Sequence, residues 1–370
     1  MSPVFLERRA AVSQRLKELD ILRGIAALTV IFIHVSGFGL SSGNSKISIP
    51  VFVINQAGRF SVPLFLIISG YALHYSYTKV KRFSLSAYLR RRFVRILVPY
   101  VLWTVIYVFY ALREDLKLIL SDMTGFLVFL GNQLVFGTAA LHLYFIIIII
   151  QLYFLYPLLR KLIFSRPKAL LVIAFVLTML FQTAAYIKLL DRSFLSVFSQ
   201  QYHLLFPTWL FYFVFGMYLC DNMDSLRNRL PSKAVSFSVW GICLAVVIGN
   251  SLLSGTYGSS VKPDIVLYSI ASLIMLYSIV DDVRKSKSLP GRFLIWFSRQ
   301  SYAAYLSHIL FFKLILLGLG SVYKGFFSHN LIGVLLIWMA AVSITSVFMY
   351  AASRTPLAVF FGCIRNGKVK

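Results

Sequence analysis

Acidic residues are scarce, with 12 Asp and Glu in 370 residues, and charged residues of both signs make up only 13% of the chain. A water-soluble globule carries about 25% charged residues, so half of the usual charge is missing and a soluble fold is not expected. Three cysteines are too few for a disulfide scaffold, and none stands at metal-ligand spacing. Gly and Pro, at 21 and 11, are too few for collagen or a low-complexity chain. What is plentiful is apolar: 59% hydrophobic residues, including 33 Phe and 21 Tyr, and a mean hydropathy of +0.80. A bilayer is the natural solvent for such a chain. The remaining oddity is a net charge of +25, which in a soluble protein would point to nucleic acid.

A bilayer core needs about 20 apolar residues per helical span. Ten stretches qualify, near residues 20–39, 57–78, 93–112, 141–160, 169–188, 203–221, 234–253, 264–281, 296–318 and 330–352. The expected fold is an all-α integral membrane protein of about ten transmembrane helices. Cytoplasmic loops collect Lys and Arg, and this chain sorts them sharply. The two tails and the even-numbered loops hold 27 of the 37 cations, among them Arg8, Arg9, Arg90, Arg91, Arg160, Arg227, Arg284, Arg299 and Arg365. The odd-numbered loops hold eight: Lys46, Arg59, Arg113, Lys117, Lys188, Arg192, Lys262 and Lys324. Both termini are therefore expected in the cytoplasm, and the charge needs no nucleic acid. Residues 1–19 read as a cytoplasmic tail, 20–353 as one membrane domain and 354–370 as a second tail. The semi-apolar segment 113–140, interrupted by Asp122, Gly125, Gly131 and Asn132, reads as an outer re-entrant or interfacial piece. Arg23 and His34 inside the first span argue against a cleavable signal peptide.

Ionisable side chains within spans are costly and mark function. Every acid falls at a terminus, in a loop or at a span end, which counts against a proton- or sodium-coupled transporter. The mid-membrane candidates are basic or neutral. Arg23 and His34 are eleven residues apart in LDILRGIAALTVIFIHV, three helical turns and roughly 16 Å, so they share a face and His34 approaches the midplane. In SRQSYAAYLSHILFFK, a helix entering at Trp296 places His308 roughly 18 Å deep, at similar depth. Ser301, Tyr302, Tyr305 and Ser307 read as helix-bridging groups. In YLRRRFVRILVPY, Arg92 and Arg95 are neighbours on one face at the inner surface. Arg90 and Arg91 are explained by anchoring, whereas Arg92 and Arg95 suit the paired hydrogen bonds of a phosphorylated ligand arriving from the cytoplasm.

These pieces together resemble the acyltransferase family 3 integral membrane O-acyltransferases. LDILRGIAALTVIFIH is similar to that family's first helix, PLFLIISGYAL to its second, RRRFVRILVPY to its Arg-x-x-Arg element, HLYFIIIIIQLYFLYPLL to its fourth-span signature and SYAAYLSH to its late Ser-Tyr and Tyr-Leu-x-His element. The resemblance implies transfer of an acyl group, usually acetyl from cytoplasmic acetyl-CoA, to a hydroxyl of a cell-surface polysaccharide or lipid-linked sugar in a bacterial plasma membrane. It implies a catalytic His34 and donor binding by Arg23, Arg92 and Arg95; His308, at similar depth, is the second catalytic candidate, and no metal is expected. Ser61, Val62 and Pro63 stand where many polysaccharide-modifying members carry an acid, and Tyr144 replaces the usual Trp, which leaves the acceptor open. No hydrolase-like domain follows Lys370, so envelope polysaccharide assembly proteins are candidate partners alongside membrane lipid.

An imidazole, with a reference pKa near 6.5, suits either a general base for the acceptor hydroxyl or a transient acyl relay. Ser69, Tyr302 and His308 are candidate oxyanion stabilisers, and acceptors are expected to enter past His142, itself read as structural. The alternative reading is a flippase or transporter of a lipid-linked glycan.

Overall fold

The computed structural model describes residues 3–41, 48–78, 80, 82–114, 122–187, 202–255, 258–285, 288–320 and 330–365. Lys46, Lys79, Lys81, Lys117, Lys188, Arg192, Lys287, Lys324, Lys368 and Lys370 lie outside the described residues, as do Asp115 and Asp191 and the side chains of residues 3–16.

The protein is an all-α membrane protein, with no strand among the described residues. Among the described residues thirteen α-helices follow in order: α1 Pro3–Ser41, α2 Ile49–Ala57, α3 Ser61–Thr78, α4 Leu85–Ala111, α5 Met123–Phe136, α6 Tyr144–Ser165, α7 Pro167–Tyr186, α8 Leu210–Arg227, α9 Lys233–Ser254, α10 Pro263–Lys285, α11 Leu289–Arg299, α12 Ser301–Leu319 and α13 Leu331–Ala352. Among the described residues nine stretches are long and apolar enough to cross a membrane, with α2 and α3 forming one of them. The expected sixth span falls on α8, which is not among the nine. Asp221, Asp224 and Arg227 crowd its last turns, although its first half, Leu210 to Met217, is buried in the core.

One expected span is preceded by an unexpected short helix, and another is broken. A 3-10 turn at Gly58–Phe60 separates α2 from α3. The stretch expected at 296–318 divides at Gln300 into the short α11 and α12. In α11, Phe297 and Ser298 face inward while Leu289 and Phe293 are exposed, the pattern of a helix lying along a surface.

The tightest crossing joins α3 to α8. A Cβ added at Gly70 would lie 2.0 Å from the Phe213 carbonyl oxygen, and one at Gly216 would lie 1.9 Å from that of Ile67. Two glycines thus let the backbones touch, the small-residue packing that replaces hydrophobic drive inside lipid. At the arginine-rich end, buried Glu18 gathers α1, α8 and α10: it accepts from Tyr277 Oη at 2.7 Å and pairs with Arg227 and Arg284 at 3.4 and 3.6 Å. Helix α5 runs antiparallel beside α4, Phe126 against Phe109 with ring centroids 6.0 Å apart and the Leu134 carbonyl accepting from Tyr100 Oη at 2.7 Å.

Candidate active site

A cavity of about 520 Å³ penetrates the bundle and collects Arg23, Arg92 and Arg95 at one end and His34 deeper in. The eleven-residue spacing on α1 produces this, because one helix face delivers Arg23 to the mouth and His34 to the interior. Arg299 at the end of α11 and Arg365 beyond α13 line the same mouth. Five guanidinium groups therefore converge. Arg23 pairs with Asp20 at 3.3 Å, and Arg92 lies over the rings of Tyr77 and Tyr153 at 5.6 and 6.0 Å. Residues Pro356–Val359 and the strand-less stretch after them fold back on the mouth. Gln300 clasps Ile364 twice, donating to its carbonyl at 2.9 Å and accepting from its N–H at 2.8 Å. That clasp brings Gly362, Cys363, Ile364 and Arg365 into the cavity wall. Burial pushes the Cys363 thiol up to about 11.

The interior is built from imidazoles. The His34 ring lies 5.3 Å from that of His308 and 6.2 Å from that of His142, and His142 and His308 are 4.9 Å apart, centroid to centroid. His34 and His142 line the cavity; His308 stands behind them and does not. Because α12 starts at Ser301, His308 is about 10 Å into its helix, shallower than a helix entering at Trp296 requires. Its Nδ1 donates toward the carbonyls of Ala304 and Tyr305 at 3.0 and 2.8 Å, and its Nε2 is buried with no protein partner.

The surrounding phenols are already committed. Tyr302 donates to the Ile96 carbonyl at 2.7 Å, Tyr107 to that of Leu306 at 2.8 Å, and Tyr305 to that of His142. Tyr302 therefore bridges α12 to α4 and Tyr305 ties α12 to the loop before α6, while both line the cavity with Ser69 and Ser301. Ser307 does not bridge: its hydroxyl bonds to Ala303 within α12 at 2.8 Å.

Four residues with a place here were not identified as site residues from sequence. Arg299 and Arg365 looked like ordinary inner-face cations. His142 looked like an outer structural group, but the loop 137–143 brings it against His34 and His308. Gly137 makes that loop, with φ +65 and a carbonyl carbon of Leu143 at 3.0 Å from any added Cβ, a turn that a side chain would strain. Arg59 looked like an outer-loop cation, yet it is 6% exposed. It donates to Gly258 O at 2.6 Å and Asn55 Oδ1 at 2.5 Å, and Asn55 in turn bonds Ser36 of α1 at 2.7 Å. Lys262, also counted among outer cations, is fully buried and bonds Ser251 Oγ at 2.5 Å, and burial lowers its pKa. Among the described residues no group of three or more His, Cys, Asp or Glu side chains is arranged to hold a metal.

The family model described as "Acyltransferase domain" matches residues 16–354. A putative membrane-bound acyltransferase of Bacillus subtilis (strain 168), YfiQ, is 28% identical over 324 residues, covering 80% of this chain and 81% of that protein. A probable poly-beta-1,6-N-acetyl-D-glucosamine export protein of Staphylococcus aureus (strain MSSA476) is 28% identical over 249 residues, covering 65% of this chain and 66% of that protein. No solved structure matches.

Proposed function

Because the chain belongs to the acyltransferase domain family, we propose that it moves acetyl from acetyl-CoA to a hydroxyl of a cell-surface polysaccharide or lipid-linked sugar. The observation that carries this reading is the single cavity that holds a cluster of arginines at its mouth and His34 inside. Coenzyme A is a polyanion at one end and a slender thioester arm at the other. Its phosphates fit Arg23, Arg92, Arg95, Arg299 and Arg365 by charge-assisted hydrogen bonds, and the arm fits the 16 Å or so between Arg23 and His34.

With the arginine end cytoplasmic in a bacterial plasma membrane, the nucleotide stays on the inner side while the acetyl group reaches mid-membrane. The acceptor hydroxyl arrives from the other side, past His142 and Tyr144. Its oxygen attacks the thioester carbonyl, and its proton passes to His34 as the C–O bond forms. The C–S bond then breaks, and the proton moves from the imidazolium to sulfur, leaving coenzyme A as the free thiol. His308 lies behind His34 and does not contact the acyl group. An acceptor of the polysaccharide class is in keeping with the name of the S. aureus relative, and the sugar-polymer machinery of the envelope is the natural partner.

The test is transfer of radiolabelled acetyl from acetyl-CoA by the purified full chain in proteoliposomes, with mass spectrometry of surface glycans from cells with and without the protein. Acetylated glycan that depends on the protein is expected. Movement of a lipid-linked glycan across the bilayer without any acyl-CoA would replace this reading with export.

A further inference from the structure

His34 and His142 line the cavity with His308 packed behind them, and the backbone contacts of the two buried rings, His142 and His308, decide which of their nitrogens carry protons. His308 Nδ1 faces two carbonyl oxygens, at 2.8 and 3.0 Å. Only an N–H is tolerated there, so the proton is on Nδ1 and Nε2 presents a lone pair. One His142 nitrogen faces the Leu306 carbonyl without closing to full hydrogen-bond geometry. A lone pair against an oxygen would repel, so that nitrogen holds the proton and the second presents a lone pair. Both lone pairs are buried without a protein partner, in residues each 1% exposed. An unsatisfied buried polar atom costs on the order of 1–3 kcal/mol, so two such atoms side by side call for a donor between them.

The neighbouring hydroxyls do not serve. Tyr107 Oη donates to Leu306 O and accepts from Leu310 N at 3.1 Å, and the Tyr305 hydroxyl donates to His142 O. The donor packed against both rings is His34, 5.3 Å from His308 and 6.2 Å from His142, centroid to centroid. An N–H···N bond of about 3 Å between imidazoles puts their centroids about 5 Å apart, and His34 and His308 are at 5.3 Å. A small turn of the His34 side chain closes the contact.

We propose that His308 and His142 are positioning residues that set the tautomer of His34 and hold the imidazolium formed on it during acyl transfer. His34 donates its N–H to His308 Nε2, which leaves its other nitrogen bare toward the cavity. This settles between the two roles open to His34 in favour of proton acceptor. When the acceptor's O–H bond breaks and the proton arrives, the positive charge appears on a ring packed against two deeply buried imidazoles. The lone pairs of His308 and His142 then solvate it, and backbone carbonyls hold both partners in the orientation required. This is the orienting role that a carboxylate plays behind a catalytic histidine elsewhere, here performed by neutral imidazoles beside a cavity with no Asp or Glu among its described lining residues. Tyr107 and Lys313 beside His142, Tyr305 beside His142 and His308, and Arg59 at the α2–α3 break near His34 are the other ionisable groups that face the three imidazoles, and Tyr144 lines the same cavity.

This inference rests on the acyl-transfer reading, and its test separates the two. In proteoliposomes of the full chain, His308→Phe and His142→Phe are expected to lower kcat for acetyl transfer by about 10–100-fold, with KM for acetyl-CoA within about twofold of wild type. His308→Gln and His142→Gln, whose amide oxygens restore an acceptor, are expected to recover to within about tenfold. Phe variants with wild-type kcat, a loss confined to KM, or Gln variants no better than Phe would overturn the proposal. A measurement on the unsubstituted chain stands beside these: nitrogen-15 NMR of histidine-labelled protein should report His308 protonated at Nδ1, and protonation at Nε2 would refute the assignment. Wild-type protein that transfers no acetyl at all would sink the acyl-transfer reading and leave the tautomer measurement to judge the histidine chain on its own.

Discussion

The two ends of the cavity are built by opposite rules. At the mouth, Arg95, Arg299 and Arg365 are exposed and point charges into a space shared with solvent. In the interior, His142 and His308 are each 1% exposed, and the aromatic hydroxyls around them are spent on backbone carbonyls. Charge held near water is screened by salt, and several guanidinium groups share the work. A proton moved among deeply buried side chains has few substitutes for a missing partner. The mouth is therefore expected to govern how tightly the donor is held, and the interior how fast it reacts.

The largest effect should follow His34→Ala, which removes the group that takes the acceptor's proton: kcat for acetyl transfer should fall by about 10²–10⁴-fold while donor binding survives. Loss of binding with kcat retained would reverse the roles of the two ends. Next, the double replacement Arg92→Ala with Arg95→Ala should raise KM for acetyl-CoA by about 10–100-fold, since charge-assisted hydrogen bonds carry about 1.5–3 kcal/mol each and exposure reduces that. Its sharper signature is salt. Between low and high ionic strength the wild-type KM should rise and the variant's should not, whereas kcat should stay flat in both.

The mouth was largely legible in the sequence because its parts are local. Arg92 and Arg95 sit three residues apart on one helix, and Arg23 and His34 sit on one face of α1, so helical periodicity alone puts them together. Nine of the ten expected spans were legible for the same reason, being long apolar runs, and the expected sixth falls on α8, which is not among the nine stretches that qualify in the described residues. What the sequence hid were the breaks and the long-range closures. Gln300 divides a run that reads as one apolar span, which moved the start of α12 and the depth of His308. Arg365 reaches the cavity only through the Gln300–Ile364 clasp across 64 residues, and nothing local to a cationic tail announces such a contact. His142 belongs to a loop, and no periodicity connects a loop to a helix face.

That clasp gives a smaller, more discriminating prediction. Gln300 is 3% exposed and holds the stretch that carries Arg365, one of five cations at the mouth. Gln300→Ala removes both of its hydrogen bonds to Ile364, each worth about 1 kcal/mol, and should raise KM for acetyl-CoA by less than about tenfold without changing kcat. A fall in kcat instead would mean that the mouth also positions the reacting carbonyl, and the division between the ends would fail.

The smallest expected effect is at Cys363, the one thiol in the cavity wall. A thioester donor invites the thought of acyl transfer through cysteine, and that would place chemistry at the arginine end. Only the thiolate is a nucleophile, and burial holds this thiol at about 11 against an ordinary value of about 8.5. A raised acid pKa favours the protonated form, so at pH 7 to 9 the group is almost wholly neutral, and the thiolate grows in only as pH climbs toward 11. Alkylation of Cys363 by N-ethylmaleimide, followed by mass spectrometry, should be slow at pH 7 and still accelerating at pH 10, where an ordinary thiol has levelled off. Cys363→Ser should leave acetyl transfer within about twofold, the neutral substitution expected where a side chain packs without reacting. A collapse of turnover in that variant would put a nucleophile among the arginines, and the separation of binding from chemistry along the cavity would no longer hold.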